Sequence, residues 1–296
     1  MIKQFFVLLI SIFVIISCKS VEISQSLVII EENIKIKPPK LQKGDKIGLI
    51  APGSYISQYQ LDEAIDNLND LGYEVFYNES ILKKHGYLAG FDSVRAGDLQ
   101  SMFLDPEIKG IMAVRGGYGC SRLLPLLDYE IIKSNPKILI GYSDITSLLY
   151  GIYSKSGLVS FHGPVGTSTF NDYSTMHFDN ILTKNQNIYT MKNLSEDSDQ
   201  IYVIKDGVAK GELVGGNLSI VVSLIGTEYD VGTKDKIIFL EDIGEEPYRI
   251  DRMLTQMRQS GKFDSCSAVA LGVFRRCDIS KTNPEFENSL TLRQVL

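Results

Sequence analysis

Ser143 stands on a corner. It follows Lys137–Ile140, an apolar run that reads as a short buried strand, and Gly141-Tyr142, which turn the chain. Asp144 to Tyr150 then reads as the start of a helix. A serine on a strand-to-helix corner is pushed up and out, beside backbone N–H groups that a helix start leaves unpaired, and both features suit a nucleophile. The pattern is Gly-x-Ser-Asp and not the full G-x-S-x-G, because Ile145 stands where the second glycine would be. A Ser before an Asp at a helix start is also the signature of an N-cap, so a purely structural reading stands beside the catalytic one.

Two further segments could do chemistry with it. Arg115-Gly-Gly-Tyr-Gly119 directly follows the apolar strand Gly110–Val114. It is neither a Walker A loop, since no Gly-Lys-Ser/Thr follows, nor G-x-G-x-x-G. Its backbone N–H groups suit an oxyanion better than a phosphate; the structural alternative is a tight turn. Glu241 and Asp242 follow a second apolar strand, Lys236–Leu240, where a carboxylate is poised to enter a cleft. Arg249 and Arg252, three apart at a helix start, could hold Glu241, bind a substrate carboxylate, or pair locally. Of the three histidines, only His162, in Phe161-His-Gly-Pro164, is near this cleft; His85 and His177 lie in polar loops and read as surface residues. No metal-ligand spacing occurs among them, and neither metal nor cofactor is expected.

The elements that must position these residues alternate. Lys46–Ala51 reads as a buried strand. Ser57-Gln-Tyr-Gln60 resembles a capping box, and Leu61, Ala64, Ile65, Leu68 and Leu71 follow at helical spacing. Tyr73–Tyr77 is the next strand. Strand, helix and strand within about thirty residues form a βαβ unit and call for a parallel sheet. Ser93–Leu104 predicts a helix stopped by Asp105-Pro106; Ser121–Leu127 and Asp128–Ser134 predict two more. The glycine-rich turn and the Ser143 corner then lie at the C-terminal ends of neighbouring parallel strands, the rim where open α/β sheets bind ligands. Leu158–Phe161 predicts another short strand. From Gly166 to about Gln200 polar residues dominate without a period. Beyond come strands at Val208–Leu213, Lys236–Leu240 and Ala268–Phe274, an apolar helix started by Gly215-Gly-Asn217, and a helix over Asp251–Gly261. The fold class is α/β: a parallel-sheet N-terminal domain over 41–166, a linker over 167–205, and a smaller, strand-rich α/β C-terminal domain over 206–296.

The chain has 296 residues, 44% of them hydrophobic, and a net charge of −6, with no basic cluster; nucleic acid is not an expected partner. Lys3 gives a basic start and Phe5–Ile16 is apolar apart from Ser11. That run is short for a membrane span and fits a secretory h-region. Ile15-Ile-Ser-Cys18 directly after it resembles a bacterial lipobox, so residues 1–17 read as a lipoprotein signal peptide, Cys18 as the lipidated residue and 18–40 as a tether; an ordinary signal peptide or an uncleaved anchor is the alternative. The expected address is the cell envelope, held to a bacterial membrane by lipid. Cys120, Cys266 and Cys277 remain, unpatterned, and read as small buried hydrophobes.

Taken together, several segments resemble the LD-carboxypeptidases of peptidase family S66, the muramoyltetrapeptide carboxypeptidases. They are Ala51-Pro-Gly-Ser54, Val114-Arg-Gly-Gly-Tyr-Gly-Cys-Ser-Arg122, Ile140-Gly-Tyr-Ser-Asp-Ile145, Phe161-His-Gly-Pro164, Gly215-Gly-Asn-Leu218, Leu240-Glu-Asp242 and Pro247-Tyr-Arg-Ile-Asp-Arg-Met253. The resemblance runs from about residue 40 to the end. It implies a Rossmann-like N-terminal domain, a smaller C-terminal domain and an active site between them. It also implies removal of the terminal D-Ala from murein tetrapeptides by a Ser-Glu-His triad without metal. The nucleophile maps onto Ser143 and the acid onto Glu241. The oxyanion donors map onto the N–H of Asp144 and of the Gly116-Gly117 turn. Dimers are common in the family, and a homodimer is an open possibility.

One departure matters. The family's catalytic histidine lies in a Gly-His motif well after the glutamate segment, and no histidine follows His177 here. The 296 residues are therefore expected to be a truncated form, weak or inactive by themselves. The competing expectations are a muropeptide-binding lipoprotein without catalysis, and the immunity-type branch of the family, which acts on peptide–nucleotide antibiotics. The latter stacks aromatic residues on a base, and this chain has no Trp.

Overall fold

The computed structural model describes residues 35–184, 188–191, 201–279 and 286–296. Cys18 and the signal and tether stretch before residue 35 lie outside them.

Five strands make the N-terminal sheet: β1 (Lys46–Ile50), β2 (Glu74–Tyr77), β3 (Ile108–Ala113), β4 (Ile138–Gly141) and β5 (Phe161–His162). They are all parallel, in the order β2-β1-β3-β4-β5. β4 is buried at every position and β1 and β3 at nearly every one, as a sheet covered on both faces requires. The crossovers are α1 (Gln58–Asp70), α2 (Asp92–Leu104) and α3 (Tyr129–Ser134), and α4 (Thr146–Ser156) follows the Ser143 corner. α1 starts with the capping box expected from Ser57 and Gln60, both halves of it formed. The piece expected as a helix over Ser121–Leu127 is a 3₁₀ turn, Cys120–Leu126, because Pro125 inside it cannot donate to a regular ladder. Lys137 is buried and its ammonium binds the carbonyls of Met102 and Asp105 at the end of α2; burial lowers its pKa to about 8.

The stretch 167–205, read as a linker without a period, contains α5 (Asp172–Leu182). Phe178 and Leu182 bury against α1 and the N-terminal sheet. His177, expected on the surface, is buried on this helix, with Tyr173 and Tyr189 against its ring. The end of the supposed tether is also docked: Ile36 exchanges backbone hydrogen bonds with Gly157 and Val159, at 2.9 and 2.8 Å.

The C-terminal sheet holds three parallel strands, β6 (Glu212–Asn217), β7 (Lys236–Ile243) and β8 (Ala268–Arg275), in that order. β6 lies later than expected and runs through Gly215-Gly216 instead of ending before them. α6 (Leu218–Leu224) begins at the predicted place, capped by the Asn217 side chain on the Ile220 N–H at 3.2 Å. α7 (Pro247–Gln259) starts earlier than predicted, with Pro247 in its first turn, and α8 (Leu292–Val295) closes the chain. Buried residues of α4, α6, β7 and α7 share one core, so the two sheets are held as one body.

Candidate active site

β4 delivers Ser143 to the rim with a backbone φ of 62°, the left-handed region. For a residue with a Cβ this conformation costs about 1–2 kcal/mol, and such strain collects at functional corners. Ser143 is not a cap. The 3₁₀ turn Ser143–Ile145 has Tyr142 at its N-cap, α4 has Ile145, and neither end carries a side-chain cap bond. Ile145 packs on Gly141, where an added Cβ would lie 2.9 Å from its side chain. The small residue before the serine thus supplies the closeness of strand and helix that the missing second glycine would otherwise give.

Gly116 lies against the serine. A Cβ there would stand 2.8 Å from Ser143 Cβ and 3.1 Å from Oγ. The loop is pinned on both sides. Tyr118 N–H donates to Ser54 Oγ at 3.2 Å, and Cys120 N–H donates to the Asp144 carboxylate at 2.7 Å. Asp144 is buried, which pushes its pKa up against the hydrogen bonds from Cys120 and Gly119 that lower it. The N–H groups of Gly116, Gly117 and Asp144 make no hydrogen bond among the described residues.

Beneath this loop sits Arg95, which sequence reading passed over. It is 2% exposed, and its guanidinium binds the Pro52 carbonyl, Asp92, and the Gly119 carbonyl at 3.0 Å. Asp92 also receives Arg122 at 2.7 Å, and these pairings hold the Asp92 carboxyl below its ordinary range. The available signal was a charge at the spacing of the buried face, with Leu99 and Met102 four and seven residues on. Arg95→Met is expected to leave the Pro52 and Gly119 carbonyls without this donor and Asp92 with Arg122 alone, at about 1–3 kcal/mol per carbonyl. Urea unfolding measures it, and an unchanged midpoint would show that the cradle bears no load.

The facing wall comes from the C-terminal sheet. A cleft of about 370 Å³ is lined by Tyr142, Ser143, His162 and Gly163 on one side, and by Asn217, Phe239, Glu241, Asp242, Ile243, Val273 and Arg275 on the other. Ser143, Glu241 and the predicted glycine turn therefore converge, at the strand ends of two sheets. Asn217 N–H donates to Thr146 Oγ1 at 3.2 Å, which ties β6 to the Ser143 corner. Asp242 is fully engaged, by Asn217 at 3.1 Å and by the Ser219 N–H and hydroxyl at 2.9 and 2.8 Å. It is a structural carboxylate. Glu241 has no such shell. Among the described residues its buried Oε1 has no hydrogen-bond partner, and burial and the neighbouring Asp242 charge push its pKa up, against Asn217. Arg249 does not reach it; it pairs with Glu245 and Glu246 on its own helix start, at 3.7 Å each, and Arg252 lies over Tyr248. The local-pair alternative is what forms.

His162 Nε2 stands 3.8 Å from Glu241 Oε1, too far for a hydrogen bond. Nor is this an ion pair, because burial lowers the His162 pKa to about 4 and the ring is neutral near pH 7. The unfolded chain takes up this proton below about pH 6.5 and the folded one only near pH 4, so stability is complete above 6.5 and is lost between 6.5 and 4. The loss is about 3 kcal/mol. The difference in urea midpoint between wild type and His162→Gln is expected to shrink over that window; a difference flat with pH would contradict it. His85 is exposed on its loop, away from the cleft lining. Cys120 and Cys277 are buried thiols and Cys266 is half-buried; none is disulfide-bonded. Among the described residues no cluster of His, Cys, Asp and Glu could hold a metal ion.

Known proteins share this architecture. Residues 47–163 match the LD-carboxypeptidase N-terminal domain and residues 210–296 the LD-carboxypeptidase C-terminal domain. The chain is 38% identical over 269 residues to the "Probable murein peptide carboxypeptidase" of Bacillus subtilis, covering 89% of this chain and 82% of the relative. The chain belongs to the LD-carboxypeptidase family, peptidase family S66. Among solved structures, the MccF-like protein of Bacillus anthracis superposes with a TM-score of 0.75 at 30% identity, over 88% of this chain and 85% of that one. The muramoyltetrapeptide carboxypeptidase of Oxalobacter formigenes gives 0.70 at 30% identity, over 84% and 82%. The chain is thus a carboxypeptidase-family hydrolase with a parallel-sheet α/β fold.

Proposed function

We propose that this chain carries the nucleophile, the acid and the oxyanion donors of a serine LD-carboxypeptidase that removes the terminal D-Ala from murein tetrapeptides. The observation that carries the reading is Ser143 at φ 62° across one cleft from Glu241, whose buried Oε1 has no hydrogen-bond partner among the described residues. The names of the Bacillus and Oxalobacter relatives supply the substrate class.

In this reading Ser143 Oγ attacks the carbonyl before the terminal D-Ala. An imidazole takes its proton and passes it to the leaving amine, and Glu241 orients that ring and stabilises its charged form. The N–H groups of Gly116, Gly117 and Asp144 hold the oxyanion. Water then attacks the acyl-enzyme, with the proton moving back through the imidazole to Ser143. His162 is a poor candidate for that ring: it does not hydrogen-bond Glu241, and a pKa near 4 makes it a weak proton acceptor. With only His85 and His177 besides it, the 296 residues are expected to turn over slowly on their own. D-Ala release from a purified tetrapeptide, compared between wild type and Ser143→Ala, tests the assignment.

A second reading, a muropeptide-binding protein without turnover, rests on the 3.8 Å between His162 Nε2 and Glu241 Oε1, which leaves that carboxylate without a hydrogen-bonded imidazole among the described residues. It predicts tetrapeptide binding with no Ser143-dependent release under any condition. For the address, we read Ile15-Ile-Ser-Cys18 as a lipidation signal. Fatty-acid labelling in a bacterial host is expected to disappear in Cys18→Ser; labelling that persists would rule the anchor out.

A further inference from the structure

Between Leu240 and Asp242 the pairing of β7 with β8 slips: Leu240 faces Leu271, but Asp242 faces Phe274. Two residues of β8, Gly272 and Val273, therefore oppose Glu241 alone, a β-bulge. On β7 the even positions Ile238, Leu240 and Asp242 are buried, and the odd positions Phe239, Glu241 and Ile243 face the cleft. Unbroken register would set Phe274 beside Ile243 on the cleft face and turn Arg275 toward the core. The bulge exchanges them. Phe274 pairs with Asp242 and is buried, and Arg275 pairs with Ile243 and joins the cleft lining. Its backbone is fixed there by the Gly244 N–H on its carbonyl, at 2.9 Å.

Arg275 is the one arginine or lysine that lines the cleft, and its guanidinium has no hydrogen-bond or ion-pair partner among the described residues. A carboxypeptidase meets one obligatory charge at its reacting end: the substrate's terminal carboxylate, separated from the leaving nitrogen by a single carbon. Whatever holds it must share the cleft with the nucleophile. A guanidinium matches a carboxylate with two parallel hydrogen bonds. We propose that Arg275 anchors the terminal carboxylate of the substrate and so makes the cleft exopeptidase-selective. This rests on the reaction proposed above and names the residue that selects its substrate end.

Binding separates the anchor from the chemistry. Titration calorimetry of the wild-type chain with L-alanyl-γ-D-glutamyl-L-lysyl-D-alanine is expected to show affinity about 10–100-fold above that for the same peptide ending in an amide. In Arg275→Met the two peptides are expected to bind within about twofold, at the weaker affinity, while Arg275→Lys keeps part of the preference. Urea midpoints equal to wild type confirm that both variants fold. A preference for the free acid that survives in Arg275→Met, or is absent from wild type, overturns the anchor and leaves Ser143-dependent D-Ala release standing. Failure of wild type to bind either peptide overturns the substrate class and the anchor together.

Discussion

Imidazole added to the wild-type chain is expected to raise D-Ala release in a saturable way, and to do nothing for Ser143→Ala or Glu241→Gln. A serine hydroxyl is a weak nucleophile until a base takes its proton, and loss of one triad member costs about 10⁴–10⁶ in rate. Glu241 Oε1 is a buried acceptor without a partner among the described residues, a position that an N–H donor in the cleft can fill, and a cleft of about 370 Å³ admits a ring of that size. An imidazole from solution loses translational freedom on binding that a built-in side chain does not, so recovery is expected to reach only about 10–10³-fold over the unaided rate. The rate should follow the neutral form of the added base and rise between about pH 6 and 8. Release equal in wild type and Ser143→Ala would remove Ser143 as nucleophile, and rescue of Glu241→Gln to the wild-type level would remove Glu241 as the orienting acid.

Gly116→Ala is expected to lose about 10²–10³ of that rescued rate, the scale of one oxyanion donor, while the chain still folds. The added methyl would sit 2.8 Å from Ser143 Cβ, and Gly116 is not in the left-handed region, so the nucleophile and its donor shift while the backbone is unstrained. The expected cost in stability is about 1–3 kcal/mol. Gly117→Ala is the contrast. That glycine has φ 122° and would bring a Cβ to 2.6 Å from Ser54 Oγ, so the loop itself should give way and stability should fall further. Urea unfolding and D-Ala release on the same pair separate the two effects. An active Gly116→Ala would place the oxyanion elsewhere.

Local rules made much of this protein legible. The Ser57–Gln60 box and the spacing through Leu61, Ala64 and Leu68 are properties of one helix, and α1 forms as they dictate. Continuous apolar runs flanked by glycine turns announced β1, β3 and β4, because a strand buried on both faces needs no alternation. What went unread depends on neighbours distant in sequence. α5 is polar over most of its length and is held by Phe178 and Leu182 entering a core built from α1 and the sheet. β6 contains two glycines that strands disfavour, tolerated because β7 and Thr146 come so close that side chains would not fit. Arg95 reads as a surface charge until Pro52, Gly119 and Asp92 are seen around it.

The sequence by itself determined the parallel α/β framework, the corner that carries Ser143, the glycine turn and the acidic strand end. Each rests on contacts within a few residues, or on motifs whose order along the chain the family shares. Only the tertiary structure decided which of those residues meet. The φ of Ser143 excluded the N-cap, and the hydrogen bonds to Asp242 left Glu241 as the neighbouring carboxylate with an open acceptor among the described residues. A one-residue slip between β7 and β8 turned Arg275 to the cleft while Arg249 and Arg252 stayed on their own helix. Register, burial and strain belong to pairs of segments far apart in the chain, and no local pattern encodes them.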